Sequence, residues 1–330
     1  MNNCYASATR RRVLGALGAG LLAVSSLAQA QTSSYPSQPV TLVVPFATGG
    51  TTSILARLLA DKVSQGLGQT VVVENKPGAG GNIGMDHVAR AKPDGYTLLM
   101  GPIGLAINPA LYTNMTFDPI KDLEPIGLYG GVPNLLVVHP SLPVKSVAEL
   151  VAYAKANPNK LNYASNGNGT SSHLAAEMLK SEAGIEMTHI PYKGGGPAMQ
   201  DLIGGQVDML FDQMPAVLPQ VEAKTVVALG VSSAERSNSA PDIPAIAESI
   251  PGFDLVVWFG WLAPKGTPDE VIQRINKEMN KALADPDFQA RLASMGVTPM
   301  PSTPDEFYQF MVSETERWGK VVRASGASIN

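Results

Sequence analysis

The chain has 330 residues, 45% of them hydrophobic, and a formal net charge of −4. That length and apolar content allow two folded domains and exclude a disordered chain, while the acidic balance excludes a basic nucleic-acid binder. The single cysteine, Cys4, allows no intrachain disulfide, and because it lies in the N-terminal stretch expected to be cleaved, the mature chain would offer neither thiol catalysis nor a cysteine-ligated metal.

At the N-terminus, Arg10-Arg11-Arg12 precede the apolar stretch VLGALGAGLLAVSSL and then Ala28-Gln29-Ala30. This charged, apolar, small-residue order predicts a secretory signal peptide over residues 1–30, cleaved after Ala30. The apolar stretch is short for a membrane span of roughly 20 residues. TRRRVLG, residues 9–15, fits a loose twin-arginine pattern, so the Sec and Tat routes both stay open. Cys4 lies before the apolar stretch and cannot be a lipobox cysteine. Removing residues 1–30 removes three arginines and no acids, taking 24 − 28 to 21 − 28, a net charge of −7.

From residue 40 short apolar runs alternate with helical ones: VTLVVPF, SILARLLADKVSQGLG, TVVVENK, PGAGGNIG opening MDHVARAK, then YTLLMGP. Strands apolar on nearly every residue suit a parallel sheet covered on both faces, so this part reads as an α/β domain. A second set starts near LLVVHP: helix SVAELVAYAKAN, strand LNYAS, GNGTS opening SHLAAEMLKSEAG, strand MTHIPY, KGGG opening PAMQDLIGG, and strand VDMLF. TVVALGVSS reads as a further strand and DLVVWFGWLAP as a crossing segment. Two long helical stretches, from TPDEVIQRIN and from TPDEFYQFMV, carry acids in their first turns and look structural. Crossings near residues 127–138 and 252–264 predict a discontinuous lobe 1 (31–134 and 258–330), a lobe 2 (135–257) and a hinged cleft between them.

Four Gly-rich turns share one design: Gly49-Gly50-Thr51-Thr52-Ser53, Gly78-Ala79-Gly80-Gly81-Asn82, Ser165 to Ser171 through Gly167, Gly169 and Thr170, and Lys193 to Gly196. Each follows a predicted strand and opens a predicted helix, where free N–H groups and the helix dipole favour an anion. A P-loop would need a lysine after its last glycine, and none is there. Gly78, Gly80 and Gly84 match a dinucleotide turn only in part. No G-x-S-x-G elbow occurs, which leaves Ser172 beside His173 as the one hydrolase pair to consider. His87, His139, His173 and His189 are scattered without metal-ligand spacing, so no cofactor or metal is expected. His173 could donate to a ligand carboxylate, Lys193 could pair with an anion, and Asp212 could face the cleft or satisfy a loop. Trp258 and Trp261 either pack the core at a domain crossing or offer the cleft a flat apolar wall.

Taken in order, PFATGG with Ala56-Arg57, VVENKPGAGGNIG, PDGYTLL, NYASNGNGTSSHLAAE, HIPYKGGGPAMQDLIGGQVDMLF and WFGWLAPKGTP resemble the Bug family, the extracytoplasmic solute receptors of tripartite tricarboxylate transporters. The resemblance implies an α/β, two-lobed periplasmic-binding-protein (Venus-flytrap) fold with a ligand cleft between the lobes. It also implies a non-enzymatic periplasmic monomer that delivers a small carboxylate to membrane permease subunits. By position, Phe46, Thr48, Gly50, Thr51, Thr52, Ser53, Gly81, Asn82, Ser165, Gly167, Gly169, Thr170, His173, Lys193 and Gly194 match the family's ligand loops. A sensory receptor for a membrane histidine kinase would carry the same lobes.

The family commonly has an acid where this chain has Ser53. Serine neither attracts a ligand ammonium group nor charges the cleft, so the expected ligand is a di- or tricarboxylate without a cationic amine. Trp261 ranks aromatic acids such as terephthalate slightly above citrate-like ones.

Overall fold

VTLVV needs burial on both faces, and it obtains it: β1 (Val40–Val44) runs between two parallel neighbours with four of its five residues buried. The structure, a computed structural model, describes residues 35–325, so the expected signal peptide and its cleavage after Ala30 lie outside the described residues. The elements below all belong to one compact unit, Gln38–Asn330.

Helix α1 (Thr51–Leu67) buries Leu55, Ala56, Leu59, Ala60, Val63 and Leu67, spaced three or four apart along one face. It stops at Gly68, whose φ of 72° lets its N–H reach back to the Ser64 carbonyl. There follow β2 (Val71–Asn75), α2 (Asn82–Ala89) and β3 (Thr97–Pro102). Helix α3 (Gly104–Leu111), which is not among the elements expected from the sequence and which contains Pro109, begins directly after β3. The 16-residue β4 (Leu123–Val138) is the longest strand described.

The second set comprises α4 (Val147–Ala156), β5 (Asn162–Ser165), α5 (Ser171–Ala183), β6 (Thr188–Pro191), α6 (Gly195–Ile203) and β7 (Met209–Gln213). Helix α7 (Met214–Glu222) and β8 (Val227–Val231) complete it. After β9 (Val256–Pro264), the stretch expected as one long helix divides into α8 (Asp269–Leu283) and α9 (Pro286–Ser294). Pro286 supplies no N–H to a continuing helix, and the Asp285 carboxylate accepts from the Phe288 N–H at 2.8 Å to begin a new one. Strand β10 (Thr298–Pro299) and α10 (Pro304–Ser325) end the described fold.

The strand order is β2-β1-β3-β9-β4-β7-β5-β6, with β8 and β10 also paired to β4. Parallel pairing holds within β2-β1-β3 and within β7-β5-β6, as βαβ connections require. The long strands do not continue this parallel pattern, since β9 pairs antiparallel with both β3 and β4. Strand β4 pairs with β9 as far as Pro133 and with β7 and β8 from Asn134 onward. The change of partner falls at a proline, which has no N–H for a ladder. One strand is thereby shared between the two parallel groups.

The crossing tryptophans pack the core. Trp261 is fully buried on β9, opposite Met100 of β3 and Gly127 of β4. Trp258 donates its indole N–H to Glu314 at 3.0 Å and meets Phe307 and Phe310 edge-on.

Candidate ligand-binding site

Four helix N-termini surround one cavity of about 30 Å³: those of α1 at Gly50-Thr51-Thr52, α3 at Ile103-Gly104, α5 at Thr170-Ser171 and α6 at Gly195. Each helix start directs unpaired N–H groups and the positive end of its dipole along the axis, so their common focus favours negative charge. Helices α1, α3 and α6 have no side-chain cap, their N-cap residues being Gly50, Ile103 and Gly194. Helix α5 is capped by Thr170, whose Oγ1 accepts from the His173 N–H at 3.4 Å.

The rest of the wall is mixed. Phe46, Val257 and Phe259 are apolar; Asn166 and Gln213 are polar; Gly80 and Pro102 bring main chain close. Thr51, Thr52, Asn166, Thr170 and Gln213 are all buried. Gln213 donates through Nε2 to Ser171 Oγ at 3.0 Å, and its carbonyl accepts from Thr51 Oγ1 at 3.4 Å.

Loops from the two parallel groups touch over the cavity. The Ala47 N–H donates to the Lys193 carbonyl at 3.0 Å, and the Tyr112 hydroxyl to the Asn168 carbonyl at 3.0 Å. Glycine permits this approach. A Cβ on Gly80, which has φ +62°, would lie 2.1 Å from the Asn168 carbonyl oxygen, and one on Gly196 would lie 2.3 Å from that of Thr48. With these contacts made across the cavity, the arrangement is a closed one.

Of the residues expected at the ligand, Phe46, Gly50, Thr51, Thr52 and Thr170 line the cavity. The others surround it. Ser53 is buried and accepts from Asn75 Nδ2 at 3.3 Å, an amide that also donates to the Phe46 carbonyl. Thr48 is exposed, with its carbonyl against Gly196. Gly81, with φ 98°, caps α2, and Asn82 accepts from Asn108 at 2.7 Å. Ser165 Oγ is 2.6 Å from His189 Nε2, and the Gly167 N–H donates to the same hydroxyl. Gly169 donates its N–H to His173 Nδ1 at 3.4 Å. Lys193 is exposed and contributes its carbonyl rather than its ammonium, and Gly194 turns the chain into α6.

Asp212 lies behind the wall, fully buried, accepting at Oδ1 from Asn166 Nδ2 at 2.7 Å and from the Gln213 N–H at 2.8 Å. Burial pushes its carboxyl up to about 6, against the downward pull of those two hydrogen bonds. His173 stacks on His189 with ring centroids 4.4 Å apart, and His189 stacks on Tyr163. Burial lowers both imidazoles, His189 to about 4 with His173 beside it as a further cause, so the stack is neutral at neutral pH.

The hydrolase pair does not form. Ser172 Oγ is wholly buried and donates to the Phe211 carbonyl at 2.5 Å, while the His173 ring faces Gly169 and His189. Nor does either tryptophan, Trp258 or Trp261, line the cavity, so the aromatic wall proposed for Trp261 is replaced by Phe46 and Phe259.

The sequence reading passed over the β3–α3 turn and Gln213. MGPIGLA has the same strand, glycine and helix order as the other turns, but it lacks their run of adjacent glycines and hydroxyls. Gln213 follows a predicted strand end, the position from which α/β sheets present side chains to ligands.

Residues 55–327 match the family described as "Tripartite tricarboxylate transporter family receptor". The chain belongs to this family. Among solved structures similar to this receptor is the periplasmic binding protein BugD, 40% identical with a TM-score of 0.87, covering 89% of this chain and 99% of that one. A second, R. palustris Rpa4515 with adipate, is 38% identical with a TM-score of 0.87, covering 89% and 99%. The third is MatC (Rpa3494) from Rhodopseudomonas palustris with bound malate, 35% identical with a TM-score of 0.83, covering 87% and 100%. The fold is thus the two-lobed α/β fold of periplasmic binding proteins of the Bug and TctC type, and the chain is a solute-binding receptor, not an enzyme. Among the described residues no helix is long and apolar enough to cross a membrane.

Proposed function

We propose that this receptor captures a small aliphatic dicarboxylate in the periplasm, as a monomer, and hands it to the permease subunits of a tripartite tricarboxylate transporter. The observation that carries the ligand class is the convergence of four helix N-termini, three without side-chain caps, on one buried cavity. Backbone N–H groups there replace the hydration of a carboxylate without a charged partner. The wall holds Phe46, Val257 and Phe259 but no ionised side chain, which suits an anion with a short apolar middle and no amine. Ser53 supports the same reading by bringing no negative charge to the first turn of α1.

Adipate and malate in the two relatives support a body of that size, and the packing of Trp261 against β3 and β4 removes the ground for ranking aromatic acids first. In this reading lobe 1 is residues 31–134 with 258–330, lobe 2 is 135–257, and the hinge lies where β4 changes partner at Pro133-Asn134. Ligand binding favours the closed form because both lobes supply donors to the same anion. Export by a cleaved signal peptide would place the mature chain at Gln31.

A thermal-shift screen of succinate, malate, adipate, citrate, terephthalate and aspartate tests the assignment, since a ligand bound only by the folded state raises Tm. The aliphatic dicarboxylates are expected to raise it most. A larger rise with aspartate or terephthalate would overturn the ligand class, and no rise with any of them would overturn the receptor's carboxylate assignment.

A further inference from the structure

Three buried acceptor atoms on residues in or behind the cavity wall have no donor: Oδ2 of Asp212, Oδ1 of Asn166 and Oδ1 of Asn108. Asp212 has both its hydrogen bonds on Oδ1, from Asn166 and from the Gln213 main chain. Its Oδ2 lies against Gly195, where a Cβ would sit 2.4 Å away. Asn166, Gln213 and Gly195 all line the cavity, so the carboxyl is one residue behind its surface in three directions.

An ionised carboxylate can only accept. It therefore holds the Asn166 amide with Nδ2 turned to Asp212 and leaves the amide oxygen as the unpartnered end. A dicarboxylate puts negative charge beside a buried carboxylate, and at Asn166 it meets an unpartnered acceptor oxygen instead of a donor. The groups around that carboxylate are uncharged: Asn166 from the β5–α5 loop, Gly195 of α6, Gln213 of β7, and Leu135 opposite it on β4. A single proton relieves both conflicts. It removes the charge, and a protonated carboxyl can donate to Asn166 Oδ1 once the amide has turned over, leaving Nδ2 free for the ligand.

We propose that Asp212 takes up one proton when the receptor captures a dicarboxylate, and that the Asn166 amide turns over to donate to the bound anion. The proposal rests on the carboxylate-receptor reading above. Its balance is one anion and one proton bound, with no covalent bond made or broken. Asp212 is a positioning residue, acting on the ligand through Asn166. Burial has already brought its carboxyl to about 6, so a further rise of about two pH units on binding keeps it protonated at neutral pH.

Calorimetric titration of the wild-type protein with succinate, malate and adipate at about pH 7, in buffers of different ionisation enthalpy, counts the protons bound. The expected count approaches one per ligand, and affinity falls about tenfold per pH unit above the ligand-free value of about 6 until the bound-state value is passed. Asp212→Asn is expected to bind with no proton uptake and a flat pH profile. The carboxyl carbon resonance of Asp212, followed by NMR with and without ligand, reports the same protonation without any variant. Binding by wild type with no uptake, or uptake retained in Asp212→Asn, overturns the proton coupling alone. Failure of all three dianions to bind overturns the receptor reading with it.

Discussion

The loops that open α1 and α5 occupy equivalent places in the two halves, strand end to helix start, yet they are built differently. The α1 loop satisfies little of itself: Gly50 offers no side-chain cap, and Thr51 and Thr52 line the cavity. The α5 loop is closed on itself. Thr170 Oγ1 donates to the Gly167 carbonyl at 2.7 Å and caps His173, Gly169 donates to the His173 ring, and Ser165 holds both Gly167 and His189. A loop that spends its hydrogen bonds internally is stiff and keeps few donors for a guest. A loop without a cap keeps its donors free and depends on a ligand or the opposite lobe to satisfy them. In the proposed function, the first would receive the anion and the second would form the wall that meets it.

The largest expected effect comes from keeping the two halves apart. Gly80→Ala puts a Cβ 2.1 Å from the Asn168 carbonyl and strains a positive φ. Overpacking of that kind costs ~1–3 kcal/mol, enough to weaken ligand binding by up to about 100-fold. Small-angle scattering should then show no compaction on adding a dicarboxylate.

Removing single donors tests the contrast directly. Proline is tolerated at the first position of a helix and deletes one N–H, and both Gly50 and Thr170 have the extended backbone that should precede it. Thr51→Pro should cost one hydrogen bond to a charged group, about 10-fold or more in affinity, beside a modest loss of Tm from the deleted Thr51 hydroxyl contact with Gln213. Ser171→Pro, in the self-satisfied loop, should cost less than about 3-fold. Equal losses would erase the distinction between the loops.

Acid offers a smaller effect of known sign. His189 and His173 are lowered by burial, so the unfolded chain binds more protons than the native one below the ordinary histidine range. Stability should fall as pH drops from about 6.5 toward about 4, by no more than about 1 kcal/mol after solvent screening. Asp212 has the opposite sign: its raised carboxyl contributes stability in acid that is lost as pH rises through about 6. Urea midpoints of wild type, His189→Gln and Asp212→Asn across this range separate the two. Of similar size, Thr170→Ala should lower stability by ~1 kcal/mol through the lost cap, with binding reduced only slightly.

Much of the architecture was legible because strand and helix periods are local. VTLVV, TVVVEN and YTLLMGP read as buried strands, and the i, i+3, i+4 pattern of α1 read as a helix. Helix α3 was not read from the sequence: it is only eight residues long and carries Pro109 in its interior. The Gly-rich turns pointed to the right loops because glycine, hydroxyls and a following helix are themselves the means of presenting N–H groups. Which members of each loop reach the cavity was not legible. Ser53, His173 and Lys193 carry the most suggestive side chains, yet they are directed to Asn75, His189 and solvent.

What the sequence determined by itself is the set of βαβ units, the anion preference of their turns and the family that this order of motifs resembles. All of these depend on residues near one another in the chain. Tertiary structure alone decided that β4 is shared between the two groups, that the tryptophans pack the core, and that Asp212 is sealed one layer behind the cavity with an oxygen unpartnered. Those outcomes turn on which distant segments exclude water from which atoms. Burial of that kind arises between segments that meet only in the fold.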